Sequence, residues 1–350
     1  MRIHPRFALL ALASLSLLAP DLDAQRRRGR YEEPELQNIR FEERSFESAA
    51  LGDDEVTYGV FLPSDYDAEE NEEQGYPLLI WLHGINENHR SFFVKGGGAI
   101  LDRMIGDGSF PKAIVICPNG GRSFWTNAVG EDRGYEDLVS VDLVAHAEAT
   151  YRLDDANGKR AIGGVSMGGL GALKIGFKHP DTFGVMFGHA AAVLPDNVEE
   201  LQERFPWIGR GRRGLLTGLY GDPVDEDRYR QDNLLVLANE LDEEIAKQMR
   251  IYFDAGTDDR YGFGQTNAQL SAVLEEREIE HQWTLVEDGG HSWGSGFTQA
   301  RLPISLAFVA RQWTTRRALE GLGGALGGSG EDGLEESGGE KPQSGGGDGR

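Results

Sequence analysis

Gly163-Gly164-Val165-Ser166-Met167-Gly168-Gly169 is the stretch on which the fold reading turns. It holds a G-x-S-x-G pattern at Gly164, Ser166 and Gly168, with an apolar lead-in and a helix-like sequence after it. A nucleophile elbow needs this context: a strand, a tight turn that pushes a Ser hydroxyl forward, then a helix. The residues two before and two after the Ser must be small, because the strand and helix backbones almost touch there. A Gly-rich turn with an incidental Ser would look the same locally, so the remaining sequence has to supply the partners.

Working outward, apolar runs alternate with amphipathic ones. Residues 39–48 and 56–62 read as two early strands, and 77–82 as a fully apolar central strand. Residues 100–105 read as helix, 113–117 as a buried strand, and 136–151 as an amphipathic helix. Residues 159–163 lead to the elbow, with 167–178 helical behind it. Beyond it, 183–188, 250–254 and 281–286 are strand-like, while 233–248, 263–277 and 297–313 are helical. Such alternation predicts an α/β fold: a mostly parallel central sheet with helices on both faces. Residues 195–230 break the alternation and read as an insertion that could form a lid or pocket wall.

The two ends differ from this body, which spans residues 36–318. Residues 1–24 read as a signal peptide: Arg2 and Arg6, an apolar run at 7–19, and Leu22-Asp23-Ala24 before Gln25. That run is too short to span a bilayer, and no Cys follows it to carry a lipid, so a secreted or periplasmic protein without a stable membrane anchor is expected. Residues 25–35 are a charged, flexible lead-in. Residues 321–350, rich in Gly, Ser and acidic groups, offer almost nothing to bury and are expected to be disordered.

Among the 350 residues, 58 Asp and Glu against 35 Lys and Arg give a net charge of -23, which argues against nucleic acid as a partner. Cys117 is the single cysteine, which excludes an intramolecular disulfide and a Cys-based zinc site. Its apolar surroundings suit a buried small residue. No His-Glu-x-x-His spacing occurs, so no metal is expected, and no cofactor is called for. Gly96-Gly97-Gly98 lacks the Lys and Ser or Thr of a phosphate loop.

A serine hydroxyl becomes a nucleophile only with a base in hydrogen-bond reach and a carboxylate behind that base. Folds built on an elbow deliver the acid and then the His after the Ser. His291, in Glu287-Asp288-Gly289-Gly290-His291-Ser292-Trp293, occupies a Gly-rich loop between the last strand and the last helix, and is the best placed of the eight His residues. For the acid, Asp254, Asp258 and Asp259 all lie near the end of the strand in Ile251-Tyr252-Phe253-Asp254-Ala255-Gly256-Thr257-Asp258-Asp259. Pattern alone leaves Asp258 and Asp259 level. An oxyanion needs two backbone N–H donors. Met167, directly after the Ser, supplies one, and the loop Leu82-His83-Gly84-Ile85 supplies the other from Ile85, with Gly84 next. His83 is expected to order that loop. Trp125 and Trp293 sit at loop tips suited to holding an acyl or phenolic group.

Leu82-His83-Gly84, the elbow, Tyr135-Glu136-Asp137, Gly256-Thr257-Asp258-Asp259 and Gly289-Gly290-His291 together resemble the esterase D–type branch of the α/β-hydrolases. That branch includes feruloyl and acetyl-xylan esterases, S-formylglutathione hydrolases, enterochelin esterases and mycolyltransferases. The resemblance covers about residues 40–315. It implies the α/β-hydrolase fold, Ser166 as nucleophile, His291 as base, and a second oxyanion donor near Ile85. The acid of bacterial feruloyl esterases closes a G-T-x-D turn, which implies Asp259. The export signal departs from the cytosolic S-formylglutathione hydrolases. The expected function is a secreted serine carboxylesterase acting on a small-molecule or polysaccharide-linked ester, with feruloyl or acetyl groups as candidates. Two alternatives are an acyltransferase that delivers the acyl group to a sugar or lipid hydroxyl, and a non-catalytic glycan- or protein-binding member.

Overall fold

The computed structural model describes residues 33–327, except 131, 155–159 and 210–213. The signal peptide read at 1–24, most of the lead-in and the tail from 328 onward lie outside the described residues.

Eight strands form one sheet in the order β1-β2-β4-β3-β5-β6-β7-β8. They are β1 Ile39–Ser48, β2 Asp54–Pro63, β3 Leu78–Leu82, β4 Ile114–Pro118, β5 Arg160–Val165, β6 Val185–His189, β7 Arg250–Gly256 and β8 His281–Val286. β2 runs antiparallel to β1 and β4, and every other pairing is parallel. The fold is that of the α/β-hydrolases.

The central strands are buried on both faces, which is why they read as unbroken apolar runs. Their side chains divide by parity. Leu78, Ile80 and Leu82 of β3 join one core layer, with Ile114, Ile116, Ile162, Met186 and Phe253. Leu79 and Trp81 join the opposite layer, with Val115, Ala161, Val165, Phe187 and Tyr252. Helices α2 (Leu143–Thr150), α3 (Met167–Lys178) and α4 (Phe263–Glu276) cover the first layer. Helices α1 (Gly97–Gly106) and α5 (Phe297–Gly327) cover the second.

Three details depart from the sequence expectations. The stretch 136–151 is not one regular helix, because a wide π turn at Leu138–Asp142 interrupts it. The stretch 233–248 splits into Leu234–Glu240 and Glu243–Ala246, since Asp242 accepts from the N–H groups of Glu244 and Ile245 and starts a new helix. Helix α5 runs to Gly327, past the start of the stretch read as tail, with Pro303 inside it.

Between β6 and Leu234 lie short helices at Val198–Arg204, Pro206–Gly209, Leu215–Tyr220 and Glu226–Gln231. They extend the first core layer, in which Leu201, Ile208, Leu216 and Leu219 are buried. A backbone bond ties this segment to the loop after β4: Val129 N–H donates to Leu219 O at 2.9 Å.

Strand order sets the location of the site. From β3 the chain steps to β4 on one side, then returns to place β5 on the other side of β3. Loops leaving the carboxyl ends of β3 and β5 therefore part in opposite directions and leave a crevice, the usual ligand position in open α/β sheets.

Candidate active site

Ser166 stands on that crevice, one residue past β5, with φ 58° and ψ −118°. A non-Gly residue holds such angles only when its surroundings over-determine them. Here Ser166 N–H donates to His189 O at 2.8 Å, while Ser166 O accepts from Leu170 and Ala192 N–H, each at 3.0 Å. The two flanking glycines permit the turn. A Cβ on Gly168 would lie 1.9 Å from Leu82 O, and one on Gly164 would lie 2.4 Å from Gly168 O.

His291 reaches the serine from the loop after β8, and Asp259 reaches His291 from the turn after β7. His291 Nδ1 donates to Asp259 Oδ2 at 2.7 Å. That fixes Nε2 as an acceptor, and the Ser166 hydroxyl lies 2.9 Å from it. Asp259 Oδ1 accepts from Tyr261 N–H at 2.8 Å, so both carboxylate oxygens are engaged. The Asp259 side chain is fully buried, whereas Asp258 is exposed to solvent. A hydroxyl, an imidazole and a carboxylate in one line form the arrangement that makes a serine nucleophilic.

Met167 is the first residue of α3, where an N–H has no partner within the helix. Across from it, the loop after β3 is held by His83. Gly120 N–H donates to His83 Nε2 at 3.0 Å, so Nδ1 carries the proton and donates to Gly84 O at 2.8 Å. Burial lowers the pKa of His83 and favours this neutral form. Gly84 N–H, the runner-up among the expected oxyanion donors, donates to Glu87 Oε2 at 3.0 Å. Ile85 itself is half-buried.

Trp125 and Trp293, expected at loop tips beside the substrate, are both buried. Trp125 is completely buried, donates Nε1–H to His83 O at 3.3 Å, and makes an edge contact with the His83 ring. Trp293 packs against Trp81 and Phe92 in the layer under α5. Both brace the loops that carry the site. The sequence expectation passed over Tyr261, whose ring stands edge-on to His291 at 4.8 Å between centroids and is half-exposed. Arg260 lies over that ring and donates Nη2–H to its hydroxyl at 2.8 Å. The one clue in the sequence was its place two residues after the acid.

Behind the elbow, Glu136 is buried against the far end of α3. Its carboxylate meets Lys178 Nζ at 2.8 Å, His179 Nε2 at 3.0 Å and Lys174 Nζ at 4.0 Å. Lys174 is fully buried, and Asp232 is also 3.9 Å from its ammonium. Burial raises the pKa of Glu136, but His179 and the two lysines outweigh it and bring it down to about 2. Glu136 of the Tyr135-Glu136-Asp137 motif therefore clamps the far end of α3.

The model of the putative esterase family matches residues 48–307. The chain belongs to that family. It is 27% identical over 170 residues to an endo-1,4-beta-xylanase/feruloyl esterase of Xylanibacter ruminicola, covering 47% of this chain and 23% of that protein. It is 25% identical over 229 residues to an acetyl esterase of Caldicellulosiruptor saccharolyticus, covering 63% of this chain and 79% of that protein. It spans less than half the length of the first curated relatives it matches. Among solved structures, a ferulic acid esterase superposes with a TM-score of 0.64 at 23% identity, covering 79% of this chain and all of the other; this likeness concerns the fold. Among the described residues, no helix is long and apolar enough to cross a membrane, and no cluster of three His, Cys, Asp or Glu could hold a metal.

Proposed function

We propose that this member of the putative esterase family is a secreted serine carboxylesterase. One observation carries the proposal: the unbroken line from Ser166 Oγ through His291 to Asp259, with bonds of 2.9 and 2.7 Å. Ser166 Oγ attacks the ester carbonyl carbon while His291 Nε2 takes its proton. The tetrahedral oxyanion accepts N–H bonds from Met167 and Ile85. As the carbon–oxygen bond to the alcohol breaks, His291 returns the proton to the leaving oxygen. Water then adds to the acyl-enzyme with His291 again as base, releasing the acid and the serine hydroxyl. Asp259 keeps the imidazole in the correct tautomer and stabilises its cation.

Feruloyl and acetyl esters of a polysaccharide are the proposed substrate class, supported by the names of the two curated relatives given above. Export rests on residues 1–24, and the 195–230 segment is the proposed wall or lid over the crevice. The test is hydrolysis of aryl acetates, methyl ferulate and acetylated xylan by the full chain and by Ser166→Ala. Turnover by the parent and none by the variant is expected. Equal rates from both would remove Ser166 from the chemistry.

A further inference from the structure

A second cluster of charged side chains lies under the sheet, on the α5 side, and the chemistry above does not use it. Asp254 and His189 are both completely buried, with His189 Nδ1 donating to Asp254 Oδ1 at 2.9 Å. Asp254 Oδ2 accepts from the Tyr252 hydroxyl at 2.7 Å and from Arg301 Nε–H at 2.9 Å. Arg301 Nη2–H donates to the Tyr252 oxygen at 2.8 Å, and His189 Nε2 lies 2.9 Å from Ser305 Oγ. Burial alone would raise the pKa of Asp254. The His189 charge and the bonds from His189, Tyr252 and Arg301 outweigh it and hold the carboxylate below its usual range.

Ser305, His189 and Asp254 repeat the outline of a serine triad, but this one is sealed. Ser305 is fully buried inside α5, and its hydroxyl also bonds Leu302 O at 3.1 Å. No substrate reaches it.

The placement of the partners is informative. His189 ends β6, and its carbonyl oxygen holds the N–H of Ser166 in its strained turn. Asp254 lies on β7, the strand whose following turn carries Asp259, and its carbonyl accepts from Ala190 N–H at 2.7 Å. Arg301 and Ser305 belong to α5, which follows the loop carrying His291. Of the three segments that meet at Asp254, β7 leads into the turn of Asp259, α5 follows the loop of His291, and β6 holds the N–H of Ser166, which itself follows β5.

We propose that Asp254, acting through His189, Tyr252 and Arg301, is a positioning residue that sets the register of these segments and so the geometry of the Ser166–His291–Asp259 line. The proposal rests on the serine-hydrolase reading. A charged, fully paired carboxylate suits this role because its bonds are directional where apolar packing is not.

The experiment compares Asp254→Asn, Tyr252→Phe, Arg301→Met and Arg301→Lys in the full chain. For each, kcat and KM are measured on an aryl acetate, with the rate constant for fluorophosphonate labelling, at a temperature where the variant is shown to be fully folded. A misplacement of about 1 Å at a catalytic group costs up to about 100-fold, so Asp254→Asn and Arg301→Met should lose about 10- to 100-fold in kcat and labelling rate, with KM little changed. Arg301→Lys should recover part of the loss. If Asp254→Asn does not fold, Tyr252→Phe and the Arg301 pair decide the question by the same measure. Variants that melt earlier but label at the parent rate would reduce the cluster to a structural one and overturn the inference. A parent enzyme that fails to label would instead overturn the serine-hydrolase reading.

Discussion

Gly256 and Gly289 touch backbone to backbone: a Cβ built on Gly256 would lie 1.8 Å from the carbonyl oxygen of Gly289. These residues belong to the turn that carries Asp259 and the loop that carries His291. Around the contact, Thr257 N–H donates to Val286 O and Asp258 N–H to Gly289 O, each at 2.9 Å, and Asp288 N–H donates to Thr257 Oγ1 at 2.9 Å. The segments of Asp259 and His291 are thus fixed to one another before their side chains meet. Gly256→Ala must push the two segments apart, because backbone cannot rotate away as a side chain can. A stability loss of about 3 kcal/mol is expected from such overpacking, with a fall in kcat beyond what the unfolded fraction explains. Denaturant titration together with labelling kinetics would measure both, and an unchanged labelling rate would show that the contact does not control the site.

Exposure separates the two neighbouring acids. Asp259 is buried with both oxygens bonded, while Asp258 points to solvent. Asp259→Asn keeps the shape but offers an amide where the imidazole needs an acceptor, so kcat should fall about 10,000-fold, as for other triads with this change. Asp258→Asn should leave kcat essentially unchanged. Steady-state kinetics on one ester decide between them, and the reverse ranking would transfer the role to Asp258.

What could be read from the sequence was what depends on local pattern. The elbow, the strand ends and the Gly-rich His loop are short signals, and β3 through β7 announce themselves because burial on both faces demands apolar runs. The wide turn at Leu138–Asp142 leaves no such trace. It arises in a helix whose apolar positions look regular, where the Ser140 hydroxyl donates to Glu136 O at 2.9 Å. The Asp242 cap was available as a signal but lay inside a run that otherwise favours helix. The burial of Trp125 and Trp293 was unreadable for another reason. A loop has no period, so nothing in the order of residues says whether an aromatic side chain turns inward. The Asp254 cluster was hidden likewise, since its members are separated by up to 116 positions and only the fold brings them together.

Acid sensitivity should follow from Glu136. Its pKa is lowered from 4.5 to about 2 in the folded protein, so the unfolded chain binds a proton more readily. The resulting stabilisation is complete above about pH 4.5 and is lost as the pH falls toward about 2. Its size is on the order of 3 kcal/mol. Glu136→Gln removes this dependence and also takes one of two carboxylates from buried Lys174, so the variant should melt earlier at neutral pH and show a flatter decline in acid. Melting temperatures at stepped pH values test this. A variant as steep as the parent between pH 4.5 and 2 would mean that other carboxylates govern the transition.

Tyr261 is expected to govern the alcohol side of the substrate. In the proposed mechanism His291 hands its proton to the leaving oxygen, which puts the departing alcohol beside that imidazole, and the half-exposed Tyr261 ring is set edge-on against the imidazole. Arg260 steadies the ring from its outer face and through its hydroxyl. An aromatic or sugar alcohol would pack on this wall, whereas a methyl group would scarcely reach it. Losing one such contact is worth about 1–3 kcal/mol, so Tyr261→Ala should raise KM about 10- to 100-fold for a bulky alcohol and little for a methyl ester of the same acid. Tyr261→Phe should keep most of the discrimination, because the ring face and edge remain. Paired kinetics on methyl and aryl esters of one acid provide the comparison. An equal rise in KM for both would show that Tyr261 supports the His291 loop without meeting the alcohol.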